Sequence, residues 1–315
     1  MSRRLGRLAV LTLIVPLLAG CAAPEVARET AATVTATATG TPADFPRTVT
    51  DASQRTLTLP AAPGRIVSLS AGATETLFAL GAGPRVVAVD LYSDTPEAAR
   101  ALPKIDFSRP SPEQVVAFKP DLLVMTGRQR DQVQHFRDLG VPVLYVGEPG
   151  SLEAVLEHIL LIAHATGDDA RGAALVASMR ARIEAVERTV GDAPSHPRVF
   201  YELTPALHTA GPTSFIGSML STLRLENVAT GPTPFLQLTS EALIARDPEV
   251  VLLAEVGASK VTPVSVAARP GWARVTAVRA GRVHAIDTDR ANRPGPRVVD
   301  ALEEIARLCY PERFR

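Results

Sequence analysis

The stretch Ser111 to Asp121, SPEQVVAFKPD, runs into the apolar segment LLVM, and 128 residues further on Thr239 to Glu249, TSEALIARDPE, runs into VVLLA. A unit written twice at that separation commits the chain to two related halves. In the first copy Ser111 suits a helix N-cap and Pro112 the first helical position, and Thr239 and Ser240 take the same places in the second. Glu113 and Glu241 therefore fall in the first turn of equivalent short helices, where a carboxylate is favoured by the helix dipole. Pro120 and Pro248 end those helices, because proline lacks the N–H and disfavours helix in the residue before it. The apolar segments that follow read as buried strands.

The rest of the chain fills in the same plan. TVTDASQRTLTLP turns at Asp51-Ala52-Ser53 and predicts a hairpin, then RIVSLS, VVAVDLY, DLLVMTG and PVLYVG alternate as strands with helical segments. Such alternation predicts an α/β lobe with a parallel sheet. SLEAVLEHILLIAHA reads as a helix closed at Gly167, and Asp168 to Val190 is a 23-residue stretch without proline. As a helix it would extend about 34 Å, enough to cross a small domain. Beyond GDAPSHP the alternation restarts with RVFYEL, SFIGSMLSTL, TSEALIARDP and VVLLAE. The expected organisation is an N-terminal α/β lobe over 46–167, a joining helix over 168–190 and a C-terminal α/β lobe over 191–315, both lobes with parallel-rich sheets.

The N-terminus predicts an address. MSRRLGR is basic and LAVLTLIVPLLAG is apolar but too short for a mature membrane span, so residues 1–20 read as an export signal. It ends in Leu18-Ala19-Gly20-Cys21, which resembles the lipobox of bacterial lipoproteins and makes Cys21 the expected lipidation site, with anchoring to the cell membrane on its outer side. Residues 21–45, small and Thr/Ala-rich, lack the apolar periodicity of a folded element and read as a tether. With Cys21 lipidated, Cys309 has no partner for an intrachain disulfide. Basic and acidic residues number 33 each, which leaves no electrostatic footprint for nucleic acid.

RIVSLSAGATETLFALGAGPRVVAVDLYSD, SPEQVVAFKPDLLVM, VFYELTPALHTAG and TSEALIARDPEVVLLA resemble, in order and spacing, the class III periplasmic substrate-binding lipoproteins of ABC importers, the group that binds cobalamin, ferric siderophores or haem. The resemblance spans roughly residues 47–312. It implies two Rossmann-like lobes joined by one long helix, with the ligand in the cleft between them, acting as a monomer. It also implies that Glu113 and Glu241 dock onto an ABC permease dimer carrying ATPase subunits; without it, each glutamate is an ordinary helix-start acid.

Within that group the sequence is most similar to the cobalamin-binding branch. The similarity places Tyr92, Phe107 and Phe235 against a corrin, and Asp289 and Arg293 at polar positions of the cleft. Read from the residues alone, Phe107 and Phe235 equally suit a lobe core, and Asp289 and Arg293 a surface pair. The implied ligand is cobalamin or a related corrinoid, with no cofactor. The alternative is a ferric siderophore or haem, for which Arg128, Arg130, Arg290 and Arg293 would supply cations. Trp272, the sole tryptophan, is not at a matching site.

The six histidines show no metal-binding spacing; His208, after a strand, is the one placed where a cleft lip could fall, but core or solvent is the expectation for it. His158 and His164 lie six apart on a helix and so on different faces. No GxSxG elbow, P-loop or GxGxxG after a strand points to an enzyme. A sensory or adhesive lipoprotein on the same fold is the reading from another class, and it gives no reason for paired docking glutamates.

Overall fold

A computed structural model describes residues 44–255 and 261–314. Strands β1 (Arg47–Thr50) and β2 (Thr56–Leu59) form an antiparallel hairpin. There follow β3 (Ile66–Ser68), α1 (Ala71–Ala79), β4 (Val86–Asp90), α2 (Glu97–Arg100), β5 (Lys104–Ile105), α3 (Pro112–Ala117), β6 (Leu122–Met125), α4 (Arg130–Asp138) and β7 (Val143–Tyr145). Two long helices come next, α5 (Leu152–Thr166) and α6 (Asp169–Gly191). The second half is β8 (Arg198–Glu202), β9 (His208–Ala210), α7 (Phe215–Thr222), β10 (Glu226–Asn227), β11 (Phe235–Gln237), α8 (Ser240–Arg246), β12 (Val250–Leu253), α9 (Pro263–Ala267), α10 (Thr276–Arg279), β13 (Val283–Ala285), α11 (Thr288–Asn292) and α12 (Val298–Cys309).

The first sheet is wholly parallel in the order β5-β4-β3-β6-β7. Its order reverses between β3 and β6, and in a doubly wound sheet the carboxyl ends of strands at such a reversal open a crevice suited to a ligand. The second sheet runs β11-β9-β8-β12-β13 with β10 beside β8. Its pairs among β8, β10, β12 and β13 are parallel, while β9 pairs antiparallel with both β8 and β11.

The twice-written unit is also a twice-built structure. Ser111 and Thr239 cap α3 and α8 through their hydroxyls, which accept from the Gln114 and Ala242 N–H groups at 3.2 Å each. Both units then turn through a residue in the left-handed region immediately before the proline, Lys119 at φ 49° and Asp247 at φ 45°. An arginine one residue before the residue that pairs with the strand following each helix, Ile66 with β6 and Val199 with β12, clamps each helix end. Arg65 donates through Nε and Nη2 to the Phe118 carbonyl at 2.9 and 2.7 Å, and Arg198 does so to the Asp247 carbonyl at 3.1 and 3.0 Å. The acid after each proline accepts that arginine's backbone N–H, Asp121 at 2.8 Å and Glu249 at 2.9 Å. Losing one hydroxyl cap costs about 1 kcal/mol in general. Ser111→Ala and Thr239→Ala should each lower the unfolding free energy measured in urea by that amount, and additively, since the caps lie in different lobes.

The chain passes between lobes on α6, 23 residues long. Its partner α5 is shared by both cores. Leu152, Val155, Leu156 and Ile159 pack with Val199, Tyr201 and Leu302 of the C-terminal lobe, while Ile162, Ala163 and Ala165 pack with Ile66, Leu77 and Leu122 of the N-terminal lobe. Gly167, at φ 80°, closes α5 as the sequence predicts, and α6 returns alongside it. Near the start of α1 the lobes meet backbone to backbone: a Cβ on Gly72 would lie 2.4 Å from the Pro294 carbonyl oxygen, so only glycine allows the approach.

Candidate functional site

The crevice at the carboxyl ends of β3 and β6 belongs to a cavity of about 310 Å³ with walls from both lobes. Leu69 to Ala73, Asp90, Tyr92, Phe107 and Thr126 come from the N-terminal lobe, and Leu203, Phe215, Phe235, Asp289, Asn292 and Arg293 from the C-terminal lobe. The shared helix α5 supplies Val155, His158, Ile159 and Ile162 between them. Tyr92, Phe107, Phe235, Asp289 and Arg293, all singled out in the sequence, thus line one cavity from its two sides.

The aromatic residues face the opening. Tyr92 is 58% exposed and Phe235 41% exposed. Tyr92 and Phe107 meet edge to face with centroids 5.5 Å apart. Phe107 and Phe235 belong to neither lobe's core, which removes that alternative. Such rings offer large contact area with few torsions to freeze. The Tyr92 loop is held by Asp90 at the end of β4, whose carboxylate accepts the Tyr92 N–H at 2.8 Å and the Ser93 hydroxyl. Behind Ser93, the Thr74 and Ser68 hydroxyls continue a buried chain at 2.8 and 2.9 Å. Burial pushes the Asp90 carboxyl above its usual range, although the hydrogen bonds from Ser93 and Tyr92 oppose it.

Arg293 is the one guanidinium or ammonium group on the wall among the described side chains, and it is already engaged. Its guanidinium bonds Asp289 at 2.7 Å within its own lobe and Asp94 at 2.6 Å across the cleft, with Glu75 at 3.8 Å. The expected Asp289–Arg293 pair therefore exists, but as part of a bridge between lobes. Burial tends to raise the Asp94 carboxyl, yet the hydrogen bond and charge of Arg293 outweigh it and hold the group below its usual range. Beside this, Arg297 grips Glu75 with Nε and Nη2 at 2.9 and 2.6 Å. Of the other arginines considered, Arg290 pairs with Asp287 at 2.9 Å, Arg130 is exposed at the start of α4, and neither lines the cavity. The side chain of Arg128 lies outside the described part.

The histidines fall in three different surroundings. His208 is exposed, bonds Thr204 at 2.8 Å and is not on the wall. His158 is on it, while His164 faces Arg47 of the hairpin. Trp272 is fully buried, donating to Ser240 at 2.8 Å behind α8. Glu113 and Glu241 are exposed on α3 and α8, away from the cavity. Ser111 donates to Glu113 at 2.7 Å and holds its carboxyl below the usual range. Cys309 is buried, and burial pushes its thiol up to about 12, so it behaves as a small core residue. Cys21, the export signal and residues 21–43 of the tether lie outside the described residues.

Two α/β lobes hinged on paired helices, with an aromatic cavity between them, define a two-lobed solute-binding protein. The periplasmic binding protein family matches residues 66–289, and the chain belongs to it. An uncharacterized ABC transporter substrate-binding lipoprotein of Bacillus subtilis (strain 168), YvrC, is 30% identical over the whole of both chains. A cobalamin-binding protein of Halobacterium salinarum is 31% identical over 84% of this chain and 74% of its own. Among solved structures, the periplasmic heme-binding protein RhuT from Roseiflexus sp. RS-1 superposes with a TM-score of 0.70 at 29% identity, covering 79% of this chain and 98% of the other.

Proposed function

We propose that the protein is a lipid-anchored, extracytoplasmic binding protein that captures cobalamin or a related corrinoid in the cleft and delivers it to an ABC permease. The observation that carries this reading is the charge state of the wall. Among the described side chains its one permanent cation, Arg293, is already engaged by Asp289 and Asp94 with Glu75 close by, while Tyr92, Phe107 and Phe235 present apolar faces. Ferric siderophores and the propionates of haem call for free cations. A corrinoid, a broad macrocycle rimmed mainly by amides, calls for aromatic area and neutral polar partners. The Halobacterium relative supports the same choice. Delivery would use Glu113 and Glu241, one on each lobe, against a permease built of two like halves.

Haem is the second reading, favoured by the likeness to the Roseiflexus structure. Calorimetric titration with cyanocobalamin, haemin and a ferric hydroxamate separates them. Binding of cyanocobalamin, with little or no heat from the other two, is the expected outcome; saturable binding of haemin without cobalamin would replace the corrinoid reading.

A further inference from the structure

On the cavity wall one ring nitrogen-bearing side chain has no partner among the described residues. His158 lines the wall among Val155, Ile159 and Ile162 of the same helix, and its ring makes no hydrogen bond or ion pair with another described residue. The other nitrogen-bearing side chains on the described wall are occupied. Asn292 donates to the Ala254 carbonyl at 3.0 Å and accepts from the Tyr201 hydroxyl at 2.7 Å, and Arg293 is held by Asp289 and Asp94. The ring is half-buried and faces the cavity, so a molecule that fills the cavity displaces water from it and meets a nitrogen with no competing partner in the described protein.

The chemistry of the ring narrows that partner. Burial lowers the His158 imidazole to about 4, so at neutral pH it is uncharged and keeps a nitrogen lone pair. Neutral imidazole is the commonest protein ligand for a transition metal. No cysteine, methionine or second histidine lines the cavity among the described residues. The helix that carries the ring is held in place, because Val155 and Ile159 are fixed in the C-terminal core and Ile162 in the N-terminal core.

We infer that His158 is a specificity-determining residue whose imidazole takes an open axial position on the metal of the bound chelate. The inference rests on the corrinoid reading and makes the metal in question its cobalt. The step is a ligand exchange: the bond from cobalt(III) to an axial water breaks, a bond from cobalt to an imidazole nitrogen forms, and the water leaves intact. No electron or proton moves. Selection then favours corrinoids with an exchangeable axial position over those blocked on both faces.

Two probes test this on the purified protein: diaquocobinamide, with exchangeable axial waters, and dicyanocobinamide, with both positions blocked. Wild-type protein should bind the diaquo form about 10-fold more tightly than the dicyano form, with its corrin absorption bands displaced as nitrogen replaces water. His158→Ala and His158→Gln, with folding checked by thermal melting, should lose both the preference and the displacement. Added free imidazole should restore the spectrum in the alanine variant. Equal affinities for the two probes in wild type, or a spectrum unchanged by the substitutions, overturns the inference and leaves the corrinoid reading standing. Failure of both probes to bind wild type overturns the two together.

Discussion

Reversing both acids of the proposed docking pair, as Glu113→Lys with Glu241→Lys, is expected to abolish uptake by cells while leaving ligand affinity of the purified protein unchanged. Both residues are exposed, and neither lines the cavity, so the substitutions do not touch captured ligand. A lysine in the first turn opposes the helix dipole, but only weakly at an exposed position, and the Ser111 and Thr239 caps remain. The repeated framework of arginine clamp, left-handed turn and proline holds the two helices alike, so a partner with two like halves meets similar handles. A single reversal should leave partial uptake. Unchanged uptake in the double variant, measured at equal surface abundance, would remove the docking role.

The second large effect concerns stability. Glu75 lies in α1 with its side chain 5% exposed, and Arg297 reaches it from the other lobe. Burial drives the Glu75 carboxyl above its usual range even against the hydrogen bonds and charge of Arg297. In turn the hydrogen bonds accepted by Glu75 hold Arg297 above its own usual range, against the effect of burial. Such a pair contributes little net stability when intact, because desolvation offsets the attraction, but removing one member strands the other. Glu75→Ala should therefore cost about 3 kcal/mol, at the low end for buried pairs because Arg297 is partly exposed. For a chain of this size that is a fall in Tm of roughly 6–12 °C. Glu75→Leu with Arg297→Met should recover most of it. If the double replacement melts as low as Glu75→Ala, packing rather than stranded charge is responsible.

The parts that were readable in the sequence are those set by local chemistry. Caps at Ser111 and Thr239, stops at Pro120 and Pro248, the Gly167 terminator and the parallel alternation each depend on a few adjacent residues, and each stands in the structure. Family resemblance added the aromatic residues, whose periodicity alone fits a core as well as a cleft. What escaped were relations between distant positions. Glu75 and Arg297 are 222 residues apart, and the sole hint was one acid inside the otherwise uncharged GATETLFALG. His158 was passed over because a histidine on the apolar side of a helix looks the same in sequence whether it meets a core or a cavity. The sharing of α5 was hidden for a similar reason: its apolar residues show which side is buried, not which lobe buries it.

That shared helix settles where the protein can be divided. An obvious cut lies at Gly167-Asp168, between α5 and α6. A fragment ending there would carry Leu152, Val155, Leu156 and Ile159 with nothing to cover them, and the complementary fragment would lack four residues of its own interior. Moving the cut ahead of α5 strips Ile162, Ala163 and Ala165 from the first fragment instead. Neither half can be prepared as an independent module with a closed interior. The two halves that look like copies in the sequence are, in folding terms, a single indivisible body.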